Sequence, residues 1–262
     1  IFQDRHTFFD VENAKKALEY GMRHAGKTKT QSKVIDIIPP IKSGSINSVV
    51  RATIADGTKV IIRMHPNGLK NGYFWAEKAI ANAALKAEVP TYQTYFIDDS
   101  KSQVPFDYMI ISCLTGNNIN KTSAFVANAV DKLIVDTGRL LALTHSVKTA
   151  GYGFFNNQVA KNKAILEGIH PKWSDHIYAS FDANLSYLEN SKTITPAQRK
   201  EVETIFEERK SLIYCDSPRL IHNDMADWNA LTDGKKITGF IDWDESFSGD
   251  PICDFAQYAV FY

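Results

Sequence analysis

The sequence predicts an α+β protein of two lobes, a small antiparallel β-sheet lobe followed by a mainly helical one. Three observations carry this expectation. Short β-rich runs crowd the region before residue 115, two of them joined by Asp56-Gly57, a strong local hairpin signal. Long helical periodicities dominate from residue 122 onward. Between the two regimes lies a polar break, Thr115-Gly116-Asn117-Asn118, which puts the lobes at residues 1–115 and 116–262.

Each element has its own warrant. Asp10 can cap a helix over residues 11–25, where Val11, Ala14, Leu18 and Met22 form one stripe. Strands follow at 33–41, 48–55 and 58–64. A helix over 73–86 stops ahead of Val89-Pro90, because a residue before proline disfavours helical backbone. Strands at 91–97 and 106–114 flank the polar turn 98–103. Helices are expected near 122–147, 172–190 and 195–213, with Pro171 and Pro196 at starts that tolerate proline. The last β-rich stretch covers 219–222, 229–231 and 236–241, turning at Asp233-Gly234, before a final helix that carries Asp254.

Composition narrows the class. Of 262 residues, 44% are apolar and 23% charged, the balance of a soluble globular chain. No apolar run approaches the roughly 20 residues of a membrane span, and residues 1–30 lack a signal-peptide core, so no membrane partner is expected. Cys113, Cys215 and Cys253 are odd in number and far apart, which argues for reduced thiols in a cytoplasmic protein and against a disulfide framework. Formal net charge is zero, so nothing suggests a nucleic-acid partner. Residues 1–115 carry 15 basic against 11 acidic side chains, and the remainder 15 against 19. That asymmetry fits either ordinary surface scatter or a basic half for an anionic cofactor beside an acidic half for a neutral or cationic acceptor.

The most informative segment is His222-Asn-Asp224-Met-Ala-Asp227-Trp-Asn229, followed by Gly239-Phe-Ile-Asp242-Trp243, whose Asp242 lies thirteen residues after Asn229. A His-x-Asp-x4-Asn loop and an aspartate closing an apolar strand supply what phosphoryl transfer requires: one carboxylate to orient an attacking hydroxyl, and an amide with a second carboxylate to hold a metal on nucleotide phosphates. Asp224 is the catalytic candidate, and Asn229 and Asp242 are candidates for Mg²⁺, a hard cation that takes oxygen ligands. Plain turn formation by any of the three is the competing reading. His222, on an apolar strand, reads as a core histidine that holds the loop. Upstream, Lys42-Ser43-Gly44-Ser45 between two strands is a turn of small residues whose N–H groups could approach phosphates, though an ordinary hairpin carries the same residues.

These segments resemble the aminoglycoside phosphotransferase and choline kinase group of the protein-kinase-like fold, together with Leu140-Leu-Ala-Leu-Thr-His145 and Gly249-Asp250-Pro251-x-x-Asp254. Gly151-Tyr-Gly-Phe-Phe155 and Trp173-x-Asp175 are most similar to hygromycin-type phosphotransferases, and the likeness spans roughly residues 40–262. The resemblance implies a kinase that uses Mg²⁺ with ATP or GTP to phosphorylate a hydroxyl on a small polar molecule, an aminoglycoside or amino sugar. It implies that Asp254 braces the catalytic loop, that Gly44 and Ser45 meet phosphates, and that backbone groups from Ser112 to Leu114 bond the base. Where that group has lysine on the third strand, this chain has Arg63; Lys59 lies four residues back, about 13 Å away at strand rise. Glu77 is the partner expected for Arg63, with a solvated helix glutamate as the alternative. Asp227, Asp244, Glu245 and Tyr152 are acceptor-pocket candidates, the carboxylates being equally readable as a solvated acidic rim. The group continues beyond a segment like Phe255–Tyr262 with further helices, so part of the acceptor pocket is expected to lie outside this sequence.

Two other readings remain open on sequence. The Arg63 replacement allows a non-catalytic nucleotide-binding pseudokinase, and the motif also suits a kinase of choline or a simple sugar. A metal-dependent hydrolase fits poorly, because His145, His170 and His176 show no metal-ligand spacing.

Overall fold

The computed structural model describes residues 10–38, 47–65, 73–121 and 127–261. Contacts divide the chain into two compact units, Ile1–Leu143 with Ala226–Asp244, and Thr144–Met225 with Glu245–Tyr262.

In the first unit, α1 (Val11–His24) starts where the Asp10 carboxylate accepts from the N–H groups of Glu12 and Asn13. Its buried Ala14, Ala17, Leu18 and Met22 join the core of a five-stranded sheet. The strands are β1 (Val34–Ile38), β2 (Ser48–Ile54), β3 (Lys59–His65), β4 (Thr94–Asp98) and β5 (Asp107–Ser112), in the order β1-β2-β3-β5-β4 with antiparallel pairings throughout. Val50, Ala52 and Ile54 alternate inward along β2, the period of a sheet with one apolar face. At the Asp56-Gly57 turn Gly57 has φ +86°, and the Asp56 carboxylate accepts from Thr58 N–H at 3.0 Å. Each Leu or Ile buried in this core contributes about 1.5–3 kcal/mol. Helix α2 (Phe74–Lys86) buries Phe74, Ala76, Glu77, Ile80 and Ala84; the charged member of that face belongs to the site below.

The same unit holds a second, three-stranded sheet of β6 (Asn117–Asn118), β10 (Ala230–Thr232) and β11 (Ile237–Phe240), in the order β11-β10-β6. Its register, Leu231 opposite Asn118, ties the catalytic-motif hairpin to the segment expected to be a bare polar break. The compact unit therefore runs past residue 115, takes in most of α3 (Ala127–Thr144), and recruits Ala226–Asp244 from late in the sequence.

The second unit is helical around a small sheet, of which the sequence announced only the stretch 219–222. Strands β7 (Tyr152–Phe155), β8 (Gly168–His170), β9 (Arg219–Ile221) and β12 (Phe247–Gly249) align as β8-β7-β12-β9, with α4 (Asn157–Lys163) between β7 and β8. Strands of three or four residues that contain glycine give too little alternation to detect. The expected helix over 172–190 is two helices, α5 (Trp173–Tyr178) and α6 (Phe181–Asn190). The helix expected to reach 213 ends at Glu208 as α7 (Pro196–Glu208), capped at its start by reciprocal Thr195 and Gln198 bonds. Arg199 on α7 bonds Glu189 at 3.1 Å and Glu203 at 2.9 Å, fastening α7 to α6. The final helix is α8 (Ile252–Phe261), so Asp254 lies in its first turn rather than deeper.

Candidate active site

In the first unit the chemistry gathers around Arg63. Strand β3 sets it opposite Val49 on β2 and Met109 on β5, and it is 6% exposed. Its Nη1 donates to Glu77 Oε2 in a close ion pair, and Tyr92 Oη donates to the same oxygen at 3.1 Å. Its Nη2 stands 3.7 Å from Asp242 Oδ1 and 3.5 Å from Asp244 Oδ2. The guanidinium carbon lies 5.9 Å from the centre of the Phe74 ring. Glu77, 1% exposed, is thus no solvated helix residue.

One guanidinium facing three carboxylates leaves an excess of negative charge, and the protonation tendencies reflect it. Burial pushes Glu77 up to about 7, with Arg63 pulling the other way. Burial and then Asp244 push Asp242 up to about 7, again opposed by Arg63. Its side chain keeps 44% exposure, so solvent moderates that rise. Burial opposes the Arg63 charge, but Glu77 and the two aspartates outweigh it and hold the guanidinium protonated. A cation brought to Asp242 and Asp244 would relieve this excess.

The Asp242 turn is held from several sides. Asp242 has φ +68°, a left-handed backbone that costs a non-glycine residue about 1 kcal/mol or more and recurs at functional turns. Ile241 N–H donates to Asn229 O at 3.0 Å, which joins the two metal candidates through main chain. Phe240 N–H donates to Pro90 O at 2.8 Å, and Thr91 Oγ1 donates to Phe240 O at 2.8 Å. Trp243, fully buried, donates its Nε1–H to Thr91 Oγ1 at 2.9 Å. Asn229 itself is buried, and the half-buried Asp227 lies two residues before it. An amide and an accessible carboxylate on adjoining strand ends are a donor set that suits a hard, oxygen-seeking cation. Among the described residues no trio of His, Cys, Asp or Glu is gathered for a metal, as a transition-metal hydrolase would need.

At the end of β5, Ser112 N–H donates to Gln93 O and Cys113 N–H to Lys59 O, so sheet pairing uses both donors. Leu114 N–H makes no hydrogen bond among the described residues, and its side chain lies against Gly239, where an added Cβ would stand 2.5 Å from Leu114 Cδ1. Gly44 and Ser45 lie outside the described residues.

The second unit carries Asp224, Glu245 and Tyr152. The buried Asp254 carboxylate accepts from His222 N–H at 3.1 Å and Asn223 N–H at 2.7 Å, and it meets His145 Nε2 at 2.8 Å. Asp224 N–H donates to His222 Nδ1 at 3.3 Å, which fixes that ring nitrogen as an acceptor. Asn223, at φ +61°, reaches Glu245 O with its side-chain amide. Asp254 thus supports two consecutive N–H groups ahead of Asp224, and His222 is a loop holder. Tyr152 Oη donates to Cys215 O at 2.5 Å and its ring lies 6.2 Å from Trp173, so the phenol has a packing role in place.

The structure therefore brings Arg63, Glu77, Asp242 and Asp244 together, with Asn229 tied to Ile241 beside them. Asp244, an acceptor-pocket candidate from sequence, faces Arg63. Sequence reasoning missed Thr91 and Tyr92, which sit behind a proline in an expected strand with no motif to mark them; Tyr92 Oη meets a charged group and Thr91 bonds the Asp242 turn.

A profile described as the phosphotransferase enzyme family matches residues 37–262, and the chain belongs to that family. It is a small-molecule phosphotransferase. No curated protein sequence matches it significantly. Among solved structures, it is similar to a thermostable mutant of aminoglycoside phosphotransferase APH(4)-Ia in ternary complex with AMP-PNP and hygromycin B, at 18% identity and TM-score 0.67, covering 92% of this chain and 75% of that one. It is also similar to APH(2")-IIa in complex with gentamicin, at 18% identity and TM-score 0.59, covering 94% and 74%. At these identities the likeness establishes the kinase-like fold. No helix among the described residues is long and apolar enough to cross a membrane.

Proposed function

We propose that this enzyme transfers the γ-phosphoryl group of Mg²⁺·ATP (or GTP) directly to a hydroxyl of an aminoglycoside or related amino sugar in the cytoplasm. The observation that carries this is the buried Arg63–Glu77 pair meeting Asp242 and Asp244 in one unit, on a family of phosphotransferases. Arg63, oriented by Glu77, grips the α- and β-phosphates, and Leu114 N–H with the neighbouring Ser112 and Cys113 backbone receives the base. Asn229 and Asp242 would hold Mg²⁺, which when bound neutralises charge on the phosphate oxygens. Asp224 orients the acceptor hydroxyl and takes its proton as the new O–P bond forms and the bond to the β–γ bridging oxygen breaks, releasing the nucleoside diphosphate. The acidic residues Asp227 and Glu245 offer partners for acceptor ammonium groups.

Asp224→Ala tests the assignment: turnover should fall by about 10³-fold or more while Mg²⁺·ATP still raises the melting temperature. Near-full turnover would remove Asp224 from its role. Arg63 in place of the group's lysine favours one second reading, a nucleotide-binding chain without catalysis. Thermal stabilisation by Mg²⁺·ATP with no transfer to any of a panel of aminoglycosides, amino sugars, sugars and choline-like alcohols would select it.

A further inference from the structure

Between α2 and β4 the first unit has a three-residue segment, Pro90-Thr91-Tyr92, that touches Glu77 and the residues flanking Asp242, two of the three carboxylates that face Arg63. On one side Tyr92 Oη donates to Glu77 Oε2 at 3.1 Å. On the other, Pro90 O accepts from Phe240 N–H at 2.8 Å, Thr91 Oγ1 donates to Phe240 O at 2.8 Å, and the same hydroxyl accepts from Trp243 Nε1 at 2.9 Å. Phe240 and Trp243 stand on either side of the Ile241-Asp242 pair. Thr91 and Tyr92 are buried, as are Phe240 and Trp243, so water cannot substitute for these bonds.

Only a hydroxyl can do what Thr91 does. It uses its single proton on a main-chain carbonyl and a lone pair on the indole, and so closes a ring across the turn that carries Asp242 in left-handed backbone. A valine of the same shape would remove both of the Thr91 side-chain bonds to the turn at once. Tyr92, one residue on, fixes the Glu77 carboxylate that in turn aims Arg63.

We propose that Thr91 and Tyr92 form a positioning bridge, one residue setting the Asp242 turn and the next setting the Arg63–Glu77 pair, so that their spacing suits a metal–triphosphate. This rests on the function proposed above. The two arms separate kinetically. Thr91→Val should raise by about tenfold the Mg²⁺ concentration that gives half-maximal thermal stabilisation in the presence of ATP, and with it that for half-maximal activity, the usual scale for losing a group that orients a metal ligand. Tyr92→Phe should instead raise KM for the nucleotide several-fold, on the order of threefold to tenfold, with Mg²⁺ dependence unchanged.

Thr91→Ser keeps the hydroxyl and should restore the wild-type Mg²⁺ dependence. Trp243→Phe, which removes the other donor without touching Thr91, provides a second route if Thr91→Val folds poorly, and it too should raise the Mg²⁺ requirement. A lower melting temperature in Thr91→Val or Trp243→Phe with wild-type Mg²⁺ dependence would make Thr91 a packing residue and overturn the bridge. Asp242→Asn distinguishes the levels. If it shifts Mg²⁺ dependence while Thr91→Val does not, the bridge alone fails; if it shifts nothing, the role assigned to Asp242 fails and the bridge falls with it.

Discussion

Replacing Glu77 by alanine isolates the central ion pair. The Arg63 side chain is 8% exposed and that of Glu77 2%, so removal leaves a buried cation without its nearest partner. Breaking such a pair costs about 3–5 kcal/mol. Asp242 and Asp244, at 3.7 and 3.5 Å, remain and offset part of this, which argues for the lower end, about 3 kcal/mol. Tyr92 Oη also loses its acceptor, adding about 1 kcal/mol. Some 4 kcal/mol at about 2–4 °C per kcal/mol gives a fall in melting temperature of roughly 8–16 °C. Circular dichroism of thermal unfolding reads it, in whichever transition moves, since two compact units need not unfold together. Glu77→Gln, which retains volume and an acceptor, should lose clearly less. The double variant Arg63→Met with Glu77→Leu, which removes the whole pair, should recover most of this loss, short of the about 1 kcal/mol at Tyr92 Oη and of the contacts that Asp242 and Asp244 lose, without catalytic activity. A fall below about 2 °C in Glu77→Ala, or a double variant as unstable as the single one, would refute the reasoning.

Three further outcomes are expected. Asp254→Ala removes the acceptor of His222 N–H and Asn223 N–H together with the His145 contact, so kcat should drop about 100-fold or more and stability by about 3 kcal/mol; unchanged kinetics in urea-titrated, folded protein would contradict the loop-bracing role. Asp242 is raised from 3.8 to about 7, so the folded state holds its proton where the unfolded state has released it, and that contribution to stability, present at low pH, fades as pH climbs through this window. Asp242→Asn should therefore gain stability relative to wild type between pH 4 and pH 7 in urea melts, and a pH-independent difference would show otherwise. Burial, with Asp250 and Asp254 nearby, pushes the Cys253 thiol up to about 12, so iodoacetamide should label it slowly at pH 8 in the native state and readily after unfolding; fast native labelling would contradict the burial.

What was legible in the sequence follows from where periodicity and chemistry are local. Asp10, Asp56-Gly57 and the Tyr73–Lys86 stretch act on their own neighbours, so the first helix, the β2–β3 hairpin and α2 could be placed within a residue or two. The motif at His222–Asn229 marked the candidate catalytic segment because its residue types are constrained by chemistry. Strands β7, β8 and β12 escaped because Gly153, Gly168 and Gly249 interrupt the alternation for reasons visible only in three dimensions. A Cβ on Gly168 would meet the Tyr152 backbone at 2.3 Å, and one on Gly249 the Trp173 ring at 2.5 Å. Long-range pairing likewise hid the extent of the first unit, since Asn118 and Leu231 are brought opposite each other across more than a hundred residues. Asp244 could not be assigned to Arg63 from spacing, because the left-handed turn at Asp242 decides where it points.

The most direct test is mass spectrometric detection of a phosphate ester on the acceptor after incubation with Mg²⁺·ATP and a panel led by hygromycin- and gentamicin-like aminoglycosides. One phosphorylated hydroxyl with stoichiometric nucleoside diphosphate is expected, and neither with Asp224→Ala. Nucleotide binding without any phosphorylated acceptor, or the same product from Asp224→Ala, would contradict it.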